Sequence, residues 1–360
     1  MTLTADTVVA GAGVIGLCAA TAIAARGRNV TLLSESRRGE ASHAAAGMLA
    51  PSVERSQGAA HDFAIAARDF YPDYLEGLAD STGIRVPLNR LGVLQVALTS
   101  NGVKGLRGAA GVESVWLDRD ELSEMEPTLG HALGAVMNPE DGAVDNVILM
   151  KALAELAQMM ERITVVDAVV TDVSSNEGSV QIGTRTGEKI ECADLVLAPG
   201  AWGASIAGAI GLAAVTPSRG QLVSYGAIGL RHVTYGPRGY LVPRASGVTI
   251  AGSTMENVGF APDITTEGIS RVKSAAQEIA PVLAVMETTS EWAGLRPVTP
   301  DMQPILGRDP HRPRIIYACG HSRNGILLAP LTGETVAALA MGEDLRYDLT
   351  PFRSDRFTSA

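Results

Sequence analysis

The architecture of the chain follows from one stretch, Thr7-Val8-Val9-Ala10-Gly11-Ala12-Gly13-Val14-Ile15-Gly16. Its first four residues predict a short buried strand, and a G-x-G-x-x-G pattern follows directly. The Ala-rich segment 17–26 then favours a helix, which Gly27 can end in the left-handed conformation. Residues 30–33, Val-Thr-Leu-Leu, predict a second strand. Strand, glycines, helix and strand in this order predict a βαβ unit that binds a dinucleotide.

Each glycine of this pattern has a separate physical reason. Gly11 allows the tight turn, Gly13 lets the backbone approach a pyrophosphate, and Gly16 lets helix and strand pack closely. The helix N-terminus offers free N–H groups and partial positive charge to the phosphates. Glu35 lies about 20 residues further on, where a carboxylate accepts hydrogen bonds from a ribose diol. A carboxylate there disfavours a 2′-phosphate, but the pattern alone leaves NAD and FAD open.

Composition narrows the class of protein. The 360 residues are 46% hydrophobic and 19% charged, which favours a folded chain with more than one part over a disordered one. The net charge of −10 makes nucleic acid an unexpected partner. Residues 8–25 carry no charge, but alanine and glycine dominate them, so we expect neither a membrane span nor a signal peptide.

The three cysteines, Cys18, Cys192 and Cys319, are far apart and fit no metal or redox motif. We therefore expect reduced thiols, no metal and a cytoplasmic protein.

Periodicity gives a coarse map of the chain. Helices are expected over 61–82, from Asp145 to Met160 and over 267–280, and a Gly-rich mobile loop over 101–112. Residues 163–173 predict a strand, and 180–182 with 189–191 a hairpin. Alternating segments at 221–225, 240–243 and 248–252 predict an antiparallel sheet. The fold class is therefore α/β: a Rossmann-like nucleotide domain (1–84, 140–215 and 301–360) with an inserted antiparallel-sheet substrate domain (85–139 and 216–300).

Six ordered motifs then show a resemblance. Besides the glycine pattern they are A-S-H-A-A-A-G-M-L-A-P at 41–51, A-P-G-A-W at 198–202, Y-L-V-P-R at 240–244, A-G-L-R-P-V-T-P-D at 293–301 and G-H-S-R-N-G-I-L-L-A-P at 320–330. Through them the chain resembles the glycine oxidase branch of the D-amino-acid oxidase and sarcosine oxidase family, nearly end to end.

The resemblance implies FAD as the cofactor. Relatives that attach the flavin covalently use a cysteine where this chain has Gly294, so a non-covalent flavin is expected. The fingerprint and the matching motif positions together predict the following cofactor-binding residues: Gly11, Gly13, Val14, Ile15, Gly16, Glu35, Ser36, Ala41, Ser42, Ala46, Gly47, Met48, Val169, Gly200, His321, Ser322, Arg323, Asn324, Gly325, Ile326 and Leu327.

Oxidation of an amino acid requires a site that binds its carboxylate. A carboxylate must be held, and the planar fork of an arginine does this with two parallel hydrogen bonds. Arg296 matches the family's clamp position and Arg323 a second position near the substrate. Tyr240 is expected to donate to the same carboxylate, and Met48 and Met255 to line a small pocket.

Structural readings of these residues stay open at this point. Arg296 could form a structural ion pair, Tyr240 could be an ordinary strand aromatic, and Arg323 could pair with a carboxylate such as Asp301 or Glu334. Arg238, two residues before Tyr240, places an extra cation in a lid that varies in the family, which could favour another substrate. No general base is predicted, because loss of hydride from a neutral amine does not require one.

The resemblance implies oxidative deamination of glycine, and of sarcosine or other small amino acids. Hydride passes to FAD, the imine yields glyoxylate and ammonia, and O2 becomes H2O2. It also implies delivery of glycine imine to the thiazole of thiamine, a link to the thiazole synthase machinery, and a homotetramer. The alternatives are a D-amino-acid or sarcosine oxidase, a dehydrogenase of the same family, and a non-catalytic flavin-binding assembly protein. An NAD-dependent dehydrogenase would not need the 320–330 motif.

Overall fold

The computed structural model describes residues 2–54, 57–176 and 178–357. In these residues the chain forms two large sheets, a small three-stranded sheet, and helices packed against them. The strands in chain order are β1 (Thr2–Ala10), β2 (Val30–Leu33), β3 (Met48–Leu49), β4 (Leu88–Asn89), β5 (Val93–Ala97), β6 (Val115–Leu117), β7 (Gly134–Asn138), β8 (Gly142–Val144), β9 (Ile163–Val166), β10 (Val170–Ser175), β11 (Val180–Thr184), β12 (Lys189–Leu197), β13 (Thr216–Tyr225), β14 (Val233–Tyr235), β15 (Tyr240–Pro243), β16 (Thr249–Gly252), β17 (Ser290–Val298), β18 (Ile305–Arg308) and β19 (Ile315–Cys319). The helices are α1 (Val14–Ala25), α2 (Ala41–Ala44), α3 (Ala59–Thr82), α4 (Ser100–Ala109), α5 (Arg119–Met125), α6 (Asn146–Met159), α7 (Thr266–Ile279) and α8 (Gly325–Met341).

The glycine fingerprint forms the predicted βαβ unit. Strands β1 and β2 run parallel, with Thr7 opposite Val30, and α1 connects them. Gly27 follows the helix with φ +89°, the left-handed conformation expected of it. Further parallel pairings place β9 beside β2, and β12 then β19 on the far side of β1. The carboxyl ends of these parallel strands therefore meet at one edge, where open α/β sheets bind ligands.

The second large sheet has the order β17-β13-β16-β15-β14-β5-β7-β6. Its pairings are antiparallel except for β14 with β5, so the predicted antiparallel sheet is confirmed. Helix α7 packs over this sheet, and its buried face includes Ile269, Val272 and Ile279.

The C-terminal helix α8 is part of the core of the first half of the fold. It packs against α1 so tightly that a Cβ on Gly333 would lie 2.7 Å from the Cys18 backbone carbonyl. Residues Ser322–Met341 are long and apolar enough to cross a membrane by length and composition, but 78% of the most apolar stretch is buried inside the fold. We interpret it as a core helix.

Three local predictions were wrong. Residues 101–112 are not a loop throughout, because α4 covers Ser100–Ala109, with the Thr99 hydroxyl capping the Gly102 N–H. The single strand expected over 163–173 is two strands, β9 and β10. The hairpin strand expected over 189–191 is longer than predicted, because β12 continues to Leu197. The strands of the two large sheets fall within the two sets of predicted domain ranges, while the boundary residues themselves stay a prediction.

Candidate active site

One cavity of about 560 Å³ lies between the two large sheets. Its wall is built from the turn after β1, the 34–48 segment, the 168–171 and 198–206 segments, strands of the second sheet, and the 318–326 turn. This volume is in the range of cofactor and small-ligand sites. Both halves of the molecule contribute to the wall, so the cavity can hold a long ligand whose two ends meet different chemistry.

The dinucleotide end is shaped by backbone and small side chains. Gly11 has φ +110°, and a Cβ there would lie 2.9 Å from the carbonyl carbon of Ala198. Two backbone N–H groups of the turn, those of Ala12 and Val14, donate to the hydroxyls of Ser34 and Ser42 at 3.2 and 3.0 Å. Any residue larger than glycine at position 11 would clash with the Ala198 backbone. The arrangement fits a pyrophosphate at the N-terminus of α1.

Glu35 lies on the cavity wall just after β2, as the fingerprint predicts. Its carboxylate pairs with the guanidinium of Arg185, and that contact lowers the pKa of Glu35. Arg185 is positioned by a hydrogen bond from its N–H to the carbonyl of Val169, another residue of the wall. An ionised acceptor for a ribose diol is thus held at this end.

The 41–48 segment is fixed in place from the second sheet. The half-buried Arg244 donates to the carbonyls of Ala46 and Val144 at 2.9 and 2.5 Å. The Trp292 indole donates to the carbonyl of Ala44 at 3.0 Å, and the Leu295 N–H donates to the carbonyl of Gly39 at 2.8 Å. These contacts hold small residues, without bulky side chains, along the wall where a planar ring could lie.

Arg296 lies on the wall at the opposite end, and its side chain rests on strand β13. Its Nη1 and Nη2 donate to the carbonyl of Thr254 at 3.1 Å and to the hydroxyl of Ser253 at 2.6 Å. The guanidinium lies over Gly220, where a Cβ would come within 2.5 Å of its Cζ. Each terminal nitrogen carries a second hydrogen, so the fork can still take a carboxylate.

Tyr240 lies beside this arginine on a second glycine. A Cβ on Gly252 would lie 2.5 Å from the Tyr240 hydroxyl, and Gly252 is the direct cross-strand partner of Tyr240. Tyr235 stands opposite Tyr240 on the other side, with ring centroids 5.8 Å apart. Met48 and Met255 also line the cavity, and Met255 is 58% exposed. The predicted substrate residues therefore share one wall.

The 318–326 turn brings buried, uncharged groups to the cavity. His321 is 2% exposed, and its burial lowers its pKa to about 3, so the imidazole is neutral. The Cys319 thiol donates to the carbonyl of Gly200 at 3.2 Å, and burial raises its pKa to about 12. Ser322 adopts φ +50°, a conformation that costs energy outside glycine and is typical of functional turns.

Most of the predicted site residues lie on the wall, and four do not. Gly16 faces the carbonyl of Gly11 instead, which is the packing role expected of it. Leu327 is 1% exposed and belongs to the hydrophobic core. Ser36 is exposed, and the Ser34 hydroxyl takes the place beside the turn. The Asn324 backbone is engaged with the carbonyl of His321.

Two alternatives from the sequence are settled by contacts. Arg323 pairs with Glu54, and not with Asp301 or Glu334, which pair with other arginines. Arg238 bonds to Glu278, with its Nε at 2.9 Å, and is not part of the wall. The cation expected in the lid is therefore paired with Glu278, and its effect on substrate choice stays a prediction.

Wall residues that sequence reasoning missed include Tyr235, the side chain of Trp202, and Met302. Met302 has φ +63° in the turn after β17, which sequence does not reveal for a methionine. Trp202 stacks on Phe260 at 6.2 Å and carries Arg37 over its ring. Its place in A-P-G-A-W was the available signal.

The cavity thus combines a glycine cradle for a pyrophosphate, an acid for a ribose, a flat strip of small residues, and an arginine–tyrosine pair for a carboxylate. Fold and site together define an oxidoreductase that uses a bound dinucleotide. Residues 6–339 match the family of FAD dependent oxidoreductases that also bears the name DAO. The chain belongs to this family, and FAD is its cofactor. The predicted fold class and cofactor are confirmed.

Three individual members of known sequence or structure are similar to this chain over nearly its whole length. Glycine oxidase of Bacillus subtilis is 32% identical over 359 residues, which is 98% of this chain and 97% of that protein. The bifunctional protein ThiO/ThiG of Synechocystis is 33% identical over 368 residues, covering 99% of this chain and 55% of the relative. The chain thus spans about half the length of that relative. The crystal structure of glycine oxidase from Geobacillus kaustophilus superposes with a TM-score of 0.92 at 31% identity, over 99% of this chain and 100% of that one.

Proposed function

We propose that this chain oxidises glycine, and also sarcosine or other small amino acids, with FAD as the hydride acceptor. The products are the imine, which hydrolyses to glyoxylate and ammonia, and H2O2 from O2. The observation that carries the proposal is Arg296 on the cavity wall, held flat over Gly220 by Ser253 and Thr254. A guanidinium fixed in this way presents a planar fork to the carboxylate of an amino acid.

The residues of the chain orient the substrate. Arg296 and Tyr240 hold the carboxylate, and Met48 and Met255 limit the room beyond the α-carbon, which favours glycine. FAD, when bound, supplies the hydride acceptor. Rate enhancement then comes from fixing the α-carbon against that acceptor, which is an effect of orientation.

No general base is part of the proposal. His321 and Cys319 lie on the wall, but burial lowers the pKa of the imidazole to about 3 and raises that of the thiol to about 12. Near neutral pH the imidazole is a free base but is buried against Thr332, and the thiol is protonated. We therefore infer that the amino acid reacts as its neutral amine, after losing a proton to water.

We also infer that the flavin is held without a covalent link. Gly294 replaces the cysteine that tethering relatives use, and a Cβ there would lie 2.5 Å from the Cβ of Ala44. Cys319 is the cysteine on the wall, and its raised pKa opposes attack as a thiolate.

The cellular role is proposed from the relatives. The protein from Synechocystis is named ThiO/ThiG, and we propose that this chain, too, supplies glycine imine for the thiazole of thiamine through the thiazole synthase machinery. We further propose a cytoplasmic homotetramer. The free, buried state of Cys18, Cys192 and Cys319 supports a reducing compartment.

Anaerobic titration tests the proposal directly. Purified protein should be yellow, glycine without air should bleach it, and oxygen should restore the colour with one H2O2 per glycine. Arg296→Ala should stay yellow but lose about 100-fold or more in kcat/KM for glycine, because the bidentate anchor is gone. Sarcosine and D-proline compared with glycine separate the wider-pocket oxidases.

Several outcomes would contradict the proposal. A yellow protein that glycine leaves oxidised would favour a binding protein without turnover. Bleaching without peroxide in air would favour a dehydrogenase. Unchanged glycine kinetics in Arg296→Ala would remove the site assignment.

A further inference from the structure

A second arginine on the cavity wall is neutralised by an acid that is not part of the wall. Arg323 contributes to the wall and its side chain is 58% exposed. Its Nη2 pairs with the carboxylate of Glu54, whose side chain is only 13% exposed. Glu54 is not among the residues that line the cavity. The carboxylate of Glu54 therefore cancels the positive charge that Arg323 would present to a ligand.

This ion pair belongs to the same part of the cavity as the carboxylate clamp. Tyr235 lies on the wall, and its pKa is raised by burial and next by the negative charge of Glu54. Tyr235 is the cross-strand partner of Tyr240, 5.8 Å away between ring centroids. Tyr240 in turn lies on Gly252, next to the Ser253 that holds Arg296. The two tyrosines therefore link the two ends: Tyr235 feels the charge of Glu54, and Tyr240 lies next to the support of Arg296.

Two guanidinium groups on the wall of one cavity would suit an amino acid with two carboxylates. One carboxylate would bind Arg296 and the other Arg323, each with charge-assisted hydrogen bonds. With Glu54 in place, a second carboxylate meets a neutral pair, and it also approaches the Glu54 anion. Only substrates with two carboxylates therefore lose binding free energy. A site gains selectivity in this way when it repels the unwanted substrate.

We propose that Glu54 is a specificity-determining residue that restricts this pocket to amino acids with a single carboxylate. The inference rests on the proposed function, because it concerns which amino acids that same site accepts. Glycine reaches only the Arg296 end, so its turnover does not depend on the charge at Glu54. N-carboxymethylglycine extends its second carboxylate towards Arg323 and is disfavoured.

The variant Glu54→Gln tests this by freeing Arg323. The matched substrates are N-carboxymethylglycine and N-ethylglycine, which are similar in size and differ in charge. The ratio of their kcat/KM values should rise about tenfold in Glu54→Gln, which corresponds to about 1.4 kcal/mol. Arg323→Gln should lower the ratio, and the double variant should return close to the wild-type ratio. Opposite signs in the two single variants keep the test informative if one of them folds poorly.

The control variant is Glu278→Gln. It removes the carboxylate partner of Arg238 and so makes the same change in charge, but at a guanidinium that is not on the cavity wall. Its substrate ratio should equal that of the wild type. A rise in Glu278→Gln equal to that in Glu54→Gln would mean that overall charge, and not the local pair, sets the preference.

Ligand binding without turnover separates this inference from the proposed function. Malonate and propionate, a dianion and a monoanion, perturb the flavin spectrum on binding, so Kd values can be measured whether or not glycine is oxidised. A yellow Glu54→Gln protein with an unchanged malonate-to-propionate Kd ratio overturns the role of Glu54. A changed ratio in a protein that does not oxidise glycine overturns the proposed function and leaves the charge assignment intact.

Discussion

Replacing Gly220 with alanine should separate catalysis from stability. The new Cβ would lie 2.5 Å from Cζ and 2.7 Å from Nη2 of Arg296. Nη1 would lie closer still, and ordinary contact requires about 3.5 Å, so the guanidinium must withdraw by more than about 1 Å. The group that moves is the end of a flexible side chain, and the backbone can stay in place. A misplacement of about 1 Å at a substrate-positioning group can cost about 100-fold in rate, equal to about 2.7 kcal/mol of transition-state stabilisation.

The assay measures kcat/KM for glycine by peroxide formation, together with flavin content and the thermal midpoint. Gly220→Ala should keep its flavin and a midpoint close to that of the wild type while kcat/KM falls about 100-fold. The control is Gly77→Ala in α3, where nothing lies within 4 Å of the added Cβ and a helix gains about 1 kcal/mol from the change. Glycine kinetics within twofold of the wild type in Gly220→Ala would refute the idea that Arg296 is held by this floor.

Two further predictions concern stability and cofactor binding. Burial lowers the pKa of His321 to about 3 from its ordinary value of 6.5. Below pH 6.5, His321 therefore binds a proton in the unfolded chain but not in the folded chain. Its contribution to the free energy of unfolding should fall by about 1.4 kcal/mol per pH unit between pH 6.5 and 3. His321→Gln should lose that slope in urea titrations at pH 7.5 and 5.5, and equal pH dependence in both proteins would contradict the assignment. Gly16→Ala would bring a Cβ to 2.9 Å from the Gly11 carbonyl carbon and into its oxygen, so flavin should be lost on purification. Gly27→Ala, with open space around it, should keep the colour at a cost of about 1 kcal/mol for the left-handed backbone, and a yellow Gly16→Ala protein would show that the turn tolerates movement.

The first βαβ unit was predictable because its signals are local. The fingerprint glycines, the Ala-rich helix and the closing Gly27 each act within a few residues, and each is found where expected. Helix α4 was missed for the opposite reason. Gly102, Gly105 and Gly108 lower its helix propensity, and none of its residues is buried. Its cap at Thr99 and the stacking of Arg107 on Trp116 become visible only in three dimensions.

In the candidate site, too, residues inside motifs were predictable and their distant partners were not. Arg296 and Tyr240 were predictable because they lie inside motifs that matched in order along the chain. Their supports were not predictable, because Gly220 and Gly252 acquire meaning only from strand register. The partner of Arg323 was missed because Glu54 is far away in sequence and belongs to no motif. The partner of Arg238 was likewise not predictable, because its position in the lid says nothing about the direction of its side chain, which helix α7 decides through Glu278.

Strand β17 both holds the 39–44 segment of the cofactor wall and carries the substrate anchor. Within five residues it donates from Trp292 and Leu295 to the 39–44 segment and also carries Arg296. The distance between the substrate anchor and the cofactor wall is therefore built into one piece of backbone, and small movements between the two sheets leave it unchanged. The 235–239 lid is held by its own turn and by α7. Substitutions in the lid can thus change which substrates are accepted, while the distance between the substrate anchor and the cofactor wall stays the same.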